Sequence, residues 1–342
     1  MGRKRKSLFV LALSLLLSAI IFLFANNQVP ELSPSTNQKA IPAPILGTCG
    51  NLTIYILNVS QADSIFIITP GNKTILIDAG SAMKPNSSDR VVEFLKKMNI
   101  SRIDYLIASH YHEDHIGGME KVFANAAVGK IFDNGNCANI STRTAEKFFA
   151  LRSTADTLVV RDMVDLPSDG CFSQAKLIFP LGNDCSTDEN ENSILLHLTF
   201  GNTSFLFTGD CGGDCESAIV QKGIAIHSDF LKIGHHGSST SSSNQFLDAV
   251  GAGFYVISVD KTRSVTDGYF HPRAGTLEKI YQRSGASLFR TDLNGEIKAV
   301  SDGGSIIIFP EQNADECDIF SGYAASDVNS YSSITQLSSR CG

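Results

Sequence analysis

The sequence carries little charge, and its acidic residues outnumber its basic ones. Charged residues make up 18% of the 342 residues, a small share for a cytosolic protein, and the formal net charge is −7. This balance argues against the broad basic surface that drives non-specific binding to nucleic acid, although a local basic or metal-lined groove is still compatible with it. The hydrophobic share is 43%, so the chain can bury a core for one large domain or two small ones.

The N-terminus has the composition of an export signal. Its first residues, MGRKRK, are strongly basic, and residues 7–24, SLFVLALSLLLSAIIFLF, carry no charge. A basic start followed by an apolar run is typical of signal peptides, and this run is also at the short end of a membrane span. No clear small-residue cleavage site follows. We therefore expect residues 1–25 to be either a cleaved signal peptide or an uncleaved membrane anchor, with the rest of the chain extracytoplasmic.

Cysteine and asparagine patterns agree with export. The chain has eight cysteines, an even number that suggests disulfides, and none of them has the spacing of a zinc ribbon. CGGDC at 211–215 either forms a local disulfide or pairs with other cysteines. A disulfide between Cys137 and Cys171 is a further alternative, and Cys317 and Cys341 can close a loop. Asn-x-Ser/Thr sequons indicate either N-glycosylation or a surface rich in these residues. The sequons lie at Asn51, Asn58, Asn72, Asn86, Asn99, Asn139 and Asn202.

Composition and periodicity divide the rest of the chain into three segments. Residues 26–48 are rich in Pro, Ser and Asn and predict a flexible linker. Over residues 49–310, short β-type runs come first and then alternate with helical periodicity. Two sheets packed together with helices outside, an α/β (α+β) fold, are the expected result. Residues 311–342 are polar and Ser-rich and predict a tail.

The segment SHYHEDHIGG, residues 109–118, places three histidines and two acids directly after the predicted strand IDYLIAS. Imidazole nitrogens and carboxylate oxygens are the groups that bind zinc, iron or manganese. His110 and His112 can bind one cation, and Asp114 and His115 on the next turn can bind a second. One loop therefore supplies half of a two-metal site.

Three more apolar strands end in residues of the same kind. ILIDAG places Asp78 at a strand end, FLFTGD places Asp210 at another, and FLKIGHHGSS places His235 and His236 after a third. Acids and histidines at strand ends converge on one edge of a sheet. The pattern predicts that these side chains meet the histidine loop there.

Taken together, these motifs resemble the metallo-β-lactamase superfamily, and in detail the C-terminal hydrolase domain of the ComEC family of DNA-uptake proteins. LNVSQADSIFI is similar to that family's LDVGQGDAILI; ILIDAG, SHYHEDHIGG, ENSILL, LFTGD, LKIGHHGSS and GYFHP follow in the family's order. The resemblance covers roughly residues 52–309. It implies a four-layer αββα sandwich and a metal-dependent hydrolase with one or two divalent cations, Zn or Mn. Metal-activated hydroxide would attack a phosphodiester, possibly DNA, as a phosphodiesterase or nuclease does.

The resemblance also implies the ligands. His110 and His112 look like ligands of the first cation, and Asp114 and His115 look like ligands of the second, with Asp210 between them. Asp114 would also orient the attacking hydroxide. Of the two late histidines, His235 is favoured as the ligand over its neighbour because it comes first after the strand.

Further roles follow from the same resemblance. Asp78 would orient a ligand histidine from outside the metal shell, and His236 would lie just outside the ligands. Ser238 and Ser239 could donate hydrogen bonds to the substrate. His271 of GYFHP, from a later loop, would contact a phosphate or the leaving group.

The sequence departs from the superfamily pattern at one place. Many members have a further ligand histidine between the histidine loop and the TGD strand, but NENSILLHLTF has Asn192 and Ser193 there. Asn192 is expected beside the ligands or the substrate, and His197 is a poor replacement because it alternates with leucines in a strand. The site therefore holds two unequal cations, or one. A lactone, ester or β-lactam substrate ranks lower for this reason, and a non-catalytic surface binding protein with a degenerate metal site is the third alternative.

Overall fold

The computed structural model describes residues 49–84, 86–172, 174–260 and 271–320. The predicted signal peptide or anchor, the predicted linker and most of the predicted tail lie outside this range. Those three predictions therefore stay predictions. Within the described part of the chain, no helix combines the length and the apolar character needed to cross a membrane.

Strands make up the centre of the fold. Their bounds are β1 Leu52–Ile56, β2 Ile65–Ile68, β3 Thr74–Ile77, β4 Arg102–Ile107, β5 Ala127–Asp133, β6 Asp156–Val159, β7 Met163–Asp165, β8 Gln174–Ile178, β9 Leu195–Phe200, β10 Thr203–Phe207, β11 Phe230–Lys232, β12 Phe254–Ile257, β13 Ser287–Arg290, β14 Ile297–Ser301 and β15 Ile306–Pro310. They form one sheet in the order β15-β14-β1-β2-β3-β4-β5-β6 and a second in the order β13-β12-β11-β10-β9-β8-β7.

Helices connect the strands. Their bounds are α1 Ser87–Lys97, α2 Glu113–Ile116, α3 Met119–Asn125, α4 Arg143–Arg152, α5 Gly213–Gln221, α6 Asn244–Val250, α7 Ala274–Tyr281, α8 Thr291–Asn294 and α9 Glu316–Ile319. Two short 3₁₀ turns, Glu189–Asn192 and Gly234–Gly237, precede β9 and follow β11.

The two sheets pack face to face, and helices cover their outer faces. Ile54 and Ile75 of the first sheet share one buried cluster with Leu196 and Phe205 of the second. On the far side of the first sheet, α1, α3 and α4 bury their apolar faces, and on the far side of the second sheet α5, α6 and α7 do the same. The predicted four-layer αββα sandwich is therefore confirmed.

Two local features differ from the sequence prediction. The residue pattern near 157–165 predicts a single strand, but β6 pairs with β5 in the first sheet and β7 pairs with β8 in the second. The chain thus crosses between the sheets inside an apparently continuous β-type run. The sequence pattern does not predict strand β5, which lies between β4 and β6.

Parallel pairing brings the functional loops to one edge. Strands β3, β4 and β5 are parallel neighbours in the first sheet, and β10, β11 and β12 are parallel neighbours in the second. The chain segments that follow these strands leave the sheets on the same side. We call this side the site edge. It carries Asp78, the histidine loop, Asp210 and the two late histidines.

Disulfides join the sheets at both edges. Cys49 precedes β1 and bonds Cys171, which precedes β8; Cys137 follows β5 and bonds Cys185, which follows β8. Cys137 therefore pairs with the loop after β8 and not with Cys171, because Cys171 lies at the opposite edge of the sandwich.

The other cysteines include one short-range pair. CGGDC forms the local disulfide Cys211–Cys215, one of the two alternatives that the sequence left open. Cys317 is also disulfide-bonded. The predicted closure with Cys341 lies outside the described residues.

Candidate metal centre

The histidine loop leaves β4 extended and then turns sharply into a short helix. His112 is the N-cap residue of α2, with φ −69° and ψ 152°, so it still belongs to the extended chain. His110 Nε2 lies 3.1 Å from His112 Nδ1. Helix α2 then carries Asp114 and His115. The extended half of the loop and the helical half therefore present two pairs of potential ligands.

Asp210 stands at the centre of the histidines, and only 2% of it is exposed. Its Oδ2 atom lies 3.3 Å from Nε2 of His115, 3.8 Å from Nε2 of His235, 3.9 Å from Nε2 of His236 and 4.0 Å from Nε2 of His110. One carboxylate oxygen thus faces four imidazole nitrogens. A carboxylate at this position is a candidate ligand for any cation that these histidines hold.

A second group of potential ligands shares His115 with the first. Asp114 Oδ2 lies 3.4 Å from His236 Nε2, and Asp114 Oδ1 lies 4.0 Å from His115 Nε2. Within each of the triads His110–His115–Asp210 and Asp114–His115–His236, the ligand atoms lie within 4.8 Å of one another. The structure therefore contains two adjacent donor groups.

Hydrogen bonds outside the cluster fix the orientation of the rings. Asp78 Oδ2 is 2.8 Å from His115 Nδ1, and the carboxylate also accepts hydrogen bonds from the backbone N–H and the hydroxyl of Ser109. His236 Nδ1 is 2.9 Å from the carbonyl oxygen of Ser258. Because Nδ1 of each ring is engaged in this way, its Nε2 atom is directed towards the acids.

The donor set fits a divalent cation. His115 Nε2, His236 Nε2 and Asp210 Oδ1 are buried, and none makes a well-aligned hydrogen bond to another described residue. Buried polar atoms normally have a partner, so such atoms need an explanation. Imidazole nitrogen and carboxylate oxygen are the ligand types that zinc and manganese accept. A cation between these atoms would satisfy all three.

Protonation states in the cluster follow from burial and from the neighbouring charges. Burial lowers the pKa of His115, but the carboxylates of Asp210 and Asp78 outweigh it, so the pKa stands well above its usual value. Burial and the neighbouring His115 hold the pKa of His110 well below its usual value. Burial raises the pKa of Asp210, and the charges of His115 and His236 more than reverse this, so that it lies well below its ordinary range.

The two late histidines have different surroundings. His236 is buried, and its Nε2 atom faces Asp114, as described above. The side chain of His235 is 21% exposed, and its Nδ1 atom lies 3.1 Å from Thr240 Oγ1. The geometry thus places His236, and not the sequence-favoured His235, with Asp114 and His115. Both residues adopt a left-handed backbone conformation, and the second ring is the one that turns inward. Which of the two histidines binds a cation stays a prediction.

Left-handed backbone conformation recurs at this site. Asp78, His235 and His236 have φ values of 57°, 49° and 53°. Such a conformation is uncommon for residues with a Cβ atom and costs about 1–2 kcal/mol each. It persists where surrounding contacts hold it, and here those contacts are the bonds to Ser109, Thr240 and Ser258.

Three polar residues from the sequence prediction occupy different places, and one of them, Ser239, is exposed. Asn192 is buried, but its side-chain amide bonds only Ser186, Asp188 and Glu189 among the described residues, and so orders its own loop. The hydroxyl of Ser238 lies 3.0 Å from Thr240 Oγ1 and therefore reaches His235 only through that residue.

His197 and His271 differ in whether they lie near the site. His197 is on the outer face of β9, and its Nε2 atom lies 3.2 Å from the His227 carbonyl oxygen, away from the site. His271 is 5% exposed, with its ring centroid 5.6 Å from that of His235. Burial, together with the neighbouring His236 and His235, lowers the pKa of His271 to about 3, so its ring is neutral at physiological pH.

Sequence reasoning assigned no role to three residues around the centre. Ser193 accepts a hydrogen bond from the backbone N–H of Asp210 at 3.1 Å. Asp63 and Lys232 form a buried ion pair of 2.9 Å, and Asp63 Oδ1 lies 3.9 Å from His236 Nδ1. For Asp63 and Lys232, the available signal was a charged residue inside an otherwise apolar run, QADSIFI for the first and FLKIG for the second.

Comparison with known proteins agrees with this architecture. Residues 57–149 match the family model described as "Metallo-beta-lactamase superfamily". The chain contains a metallo-β-lactamase domain. The matched segment includes Asp78 and the complete histidine loop.

Curated relatives extend the match beyond that segment. The chain is 29% identical over 246 residues to "Competence protein ComA" of Neisseria gonorrhoeae, with 72% of this chain and 32% of the relative covered. It is 25% identical over 267 residues to "ComE operon protein 3" of Bacillus subtilis (strain 168), with the same coverage. The predicted resemblance to the ComEC family is confirmed, and the chain spans about a third of the length of these relatives.

Solved structures with related architecture include a "New Diphosphatase from the PhnP Family", with TM-score 0.41, 16% identity, and 70% of this chain and 83% of that one covered. Another is "Tm1679, a metal-dependent hydrolase of the beta-lactamase superfamily", with TM-score 0.45, 12% identity, and 70% and 95% covered.

Proposed function

We propose that this chain is a metal-dependent hydrolase that cleaves phosphodiesters and acts as a phosphodiesterase or nuclease. The observation that carries the proposal is the position of Asp210, whose Oδ2 atom has four imidazole Nε2 atoms within 4.0 Å. Two adjacent donor groups share His115 and suit one or two divalent cations, Zn or Mn.

In the proposed ligand set, His110 and His112 would hold the first cation, Asp114, His115 and His236 would hold the second, and Asp210 would be available to both. This set replaces the sequence-favoured His235 by its neighbour. When bound, the cations would lower the pKa of a water molecule and polarise a phosphoryl oxygen of the substrate.

The chain's own residues define where the substrate enters. His110, His115 and Asp210 are buried, whereas the side chains of Asp114 and His235 are 32% and 21% exposed. The open side of the cluster is therefore the side of Asp114 and His235. Asp114 would accept a hydrogen bond from the attacking water there and orient it.

His271 would act on the same open side. Its ring stands beside that of His235, and its buried Nδ1 atom has no hydrogen-bond partner among the described residues. A neutral imidazole in this position would donate a hydrogen bond to a phosphoryl or leaving-group oxygen. Asp78 and Ser109 hold His115 in place while the charge of the phosphoryl group develops.

The choice of a phosphodiester, with DNA as the candidate polymer, rests on two supports. Curated relatives carry the names competence protein and "Recombination protein 2". In addition, the place where β-lactamases carry a further ligand histidine is occupied by Asn192, whose amide is engaged within its own loop. Cleavage of a lactone, ester or β-lactam therefore remains the second candidate, and a non-catalytic binding protein the third.

The test uses the full chain produced under oxidising conditions. We would measure its metal content and then follow hydrolysis of bis-p-nitrophenyl phosphate and single-stranded DNA, beside nitrocefin and a simple lactone, with Mn²⁺ or Zn²⁺ added. The proposal expects turnover of the phosphodiesters alone. Bound metal without turnover of any of the four substrates would favour the binding protein, and turnover of nitrocefin or the lactone alone would favour the second candidate.

We also propose that the domain works outside the cytoplasm. The disulfides at both edges of the sandwich need an oxidising compartment. The sequon asparagines are exposed, apart from Asn58, which is partly so. Secretion from a glycosylating host should yield a chain whose mass falls on endoglycosidase treatment and whose cysteines resist alkylation. Free thiols in that material would contradict the proposed location.

A further inference from the structure

A buried ion pair lies directly beneath the candidate metal centre. Lys232, the last residue of β11, is fully buried, and Asp63 is 1% exposed. Lys232 Nζ lies 2.9 Å from Asp63 Oδ2 and donates a second hydrogen bond, of 3.0 Å, to the carbonyl oxygen of Ile233. An ammonium group withdrawn from water is costly unless it is paired and hydrogen-bonded. A packed apolar pair would serve a core equally well, so a charged pair at this place needs another reason.

The pair connects the two sheets. Asp63 belongs to the segment between β1 and β2 of the first sheet, whereas Lys232 belongs to the second sheet. His235 and His236 follow Lys232 along the chain, in the 3₁₀ turn after β11. The ammonium group therefore fixes the start of the late-histidine turn against the first sheet.

The backbone of Asp63 contacts two loops of the first sheet at the site edge. Its N–H donates to the carbonyl oxygen of Asp114 at 3.1 Å, and its own carbonyl oxygen accepts from the N–H of Gly80 at 2.8 Å. The next residue, Ser64, donates from its hydroxyl to the carbonyl oxygen of Asp78. One short segment thus contacts both the loop that carries Asp114 and the loop that carries Asp78.

The remaining carboxylate oxygen faces a ligand. Asp63 Oδ1 is buried, makes no hydrogen bond to another described residue, and lies 3.9 Å from His236 Nδ1. His236 is the residue that meets Asp114 from the opposite sheet. Asp63 thus lies against both sides of the Asp114–His236 contact, through its backbone on one side and through its carboxylate on the other.

We propose that the Asp63–Lys232 ion pair is a positioning device that sets His236 against Asp114 and so determines the second cation position. This inference rests on the proposed metal site. The two ligands come from different sheets, so the distance between them depends on how the sheets meet beside the site. The ion pair joins the same two sheets at that place and helps to set this distance.

The decisive variant is the double substitution Asp63→Asn with Lys232→Met, tested in the full chain. It removes both charges at nearly constant volume, so no unpaired buried charge is left to unfold the protein. We expect thermal stability close to that of the unsubstituted chain. We also expect the affinity of the weaker Co²⁺ or Zn²⁺ site to fall about 10–100-fold, as for other residues that orient metal ligands. The visible absorption of Co²⁺ at that site should change as well.

The matched control is the pair Lys73–Asp104, an ion pair of 3.3 Å near the starts of β3 and β4, at the edge opposite the site. Lys73→Met with Asp104→Asn should leave cation affinity and the Co²⁺ spectrum unchanged. The single variant Lys232→Met, which leaves Asp63 unpaired, should lose stability in addition to affinity.

The outcomes separate the two proposals because the readout is cation binding and not turnover. If the unsubstituted chain binds cations and the double variant binds them equally well with the same spectrum, the ion pair is merely structural and the inference is overturned. If the unsubstituted chain binds no cation, both the inference and the proposed function fail. Binding without phosphodiester hydrolysis overturns the proposed substrate and leaves the positioning result intact.

Discussion

At the scale of single residues, the candidate centre depends on which nitrogen of each histidine is free. Asp78 engages Nδ1 of His115, and Ser258 engages Nδ1 of His236, so that both Nε2 atoms face Asp210 and Asp114. The site is therefore pre-organised by neutral and charged hydrogen bonds that lie outside the ligand set. Two substitutions test this arrangement separately from folding.

Asp210→Asn should abolish tight cation binding and turnover while the fold survives. The amide keeps the shape of the side chain but removes the negative charge that faces four histidines. Because the charges of His115 and His236 hold the pKa of Asp210 low in the folded protein, the metal-free variant should fold but with a lower free energy of unfolding. Isothermal titration with Zn²⁺ and thermal unfolding would measure both effects. Asp214→Asn, the same change at an exposed position of α5, is the control. Full activity of Asp210→Asn would exclude the proposed centre.

Asp78→Asn should weaken cation binding about 10–100-fold without abolishing it. The carboxylate accepts hydrogen bonds from the backbone and hydroxyl of Ser109 and engages His115 Nδ1. An amide has only one acceptor oxygen, so at least one of these groups loses its partner. Dissociation constants for Zn²⁺ would show the change, and Ser109→Ala should give a smaller effect. An unchanged constant for Asp78→Asn would mean that the acid does not orient the histidine.

At the scale of elements, the second sheet is covered by helices that are joined through buried polar groups. Glu216 of α5 is 2% exposed and accepts hydrogen bonds from the backbone N–H groups of Ser242 and Ser243. Ser243 is the N-cap residue of α6, so a side chain of one helix supports the start of the next. Burial raises the pKa of Glu216 to about 7 despite these hydrogen bonds.

This raised pKa predicts a loss of stability as the pH increases. Because the folded protein binds the proton of Glu216 more tightly than the unfolded chain, stability is highest below the unfolded pKa and decreases as the pH rises towards 7. The decrease should be about 3 kcal/mol, since each pKa unit corresponds to about 1.4 kcal/mol. Urea unfolding at pH 5 and pH 8 would measure it.

In Glu216→Gln the side chain cannot ionise, so this part of the pH dependence should disappear. Glu93→Gln, at an exposed position of α1, should keep it. A Glu216→Gln variant whose stability changes with pH in the same way as the unsubstituted chain would show that another group is responsible.

At the scale of the whole molecule, the sandwich is held by covalent bonds at both edges as well as by its core. The Cys49–Cys171 disulfide spans 122 residues and ties β1 of the first sheet to β8 of the second, whereas Cys211–Cys215 spans only 4. A crosslink that closes a longer loop removes more conformational freedom from the unfolded chain.

The two disulfides should therefore contribute unequally to stability. Replacing Cys49 and Cys171 by Ser should lower the free energy of unfolding by about 5 kcal/mol, whereas replacing Cys211 and Cys215 should lower it by about 2 kcal/mol. Thermal unfolding would rank the two double variants. Equal melting temperatures would contradict the loop-length argument.

The sequence by itself determined the fold and the composition of the site. Alternating apolar runs that end in Asp78, the histidine loop and Asp210 predict strands whose carboxyl ends meet, and the structure confirms the two packed sheets with helices outside that the pattern predicts. These features are local in the chain, because strand period and ligand spacing are properties of short segments. The roles of the ligands stay predictions that the experiments above can decide.

Only the tertiary structure decided which late histidine faces Asp114 and which acid pairs with Lys232. His235 and His236 are neighbours in the chain, and the left-handed backbone at both directs only the second ring to Asp114. Asp63 and Lys232 are 169 residues apart, and each alone reads as an isolated charge in an apolar run. The crossing of the chain from β6 to β7 was hidden for the same reason. Contacts between the two sheets leave no periodic signal in either segment, since they depend on how the sheets pack.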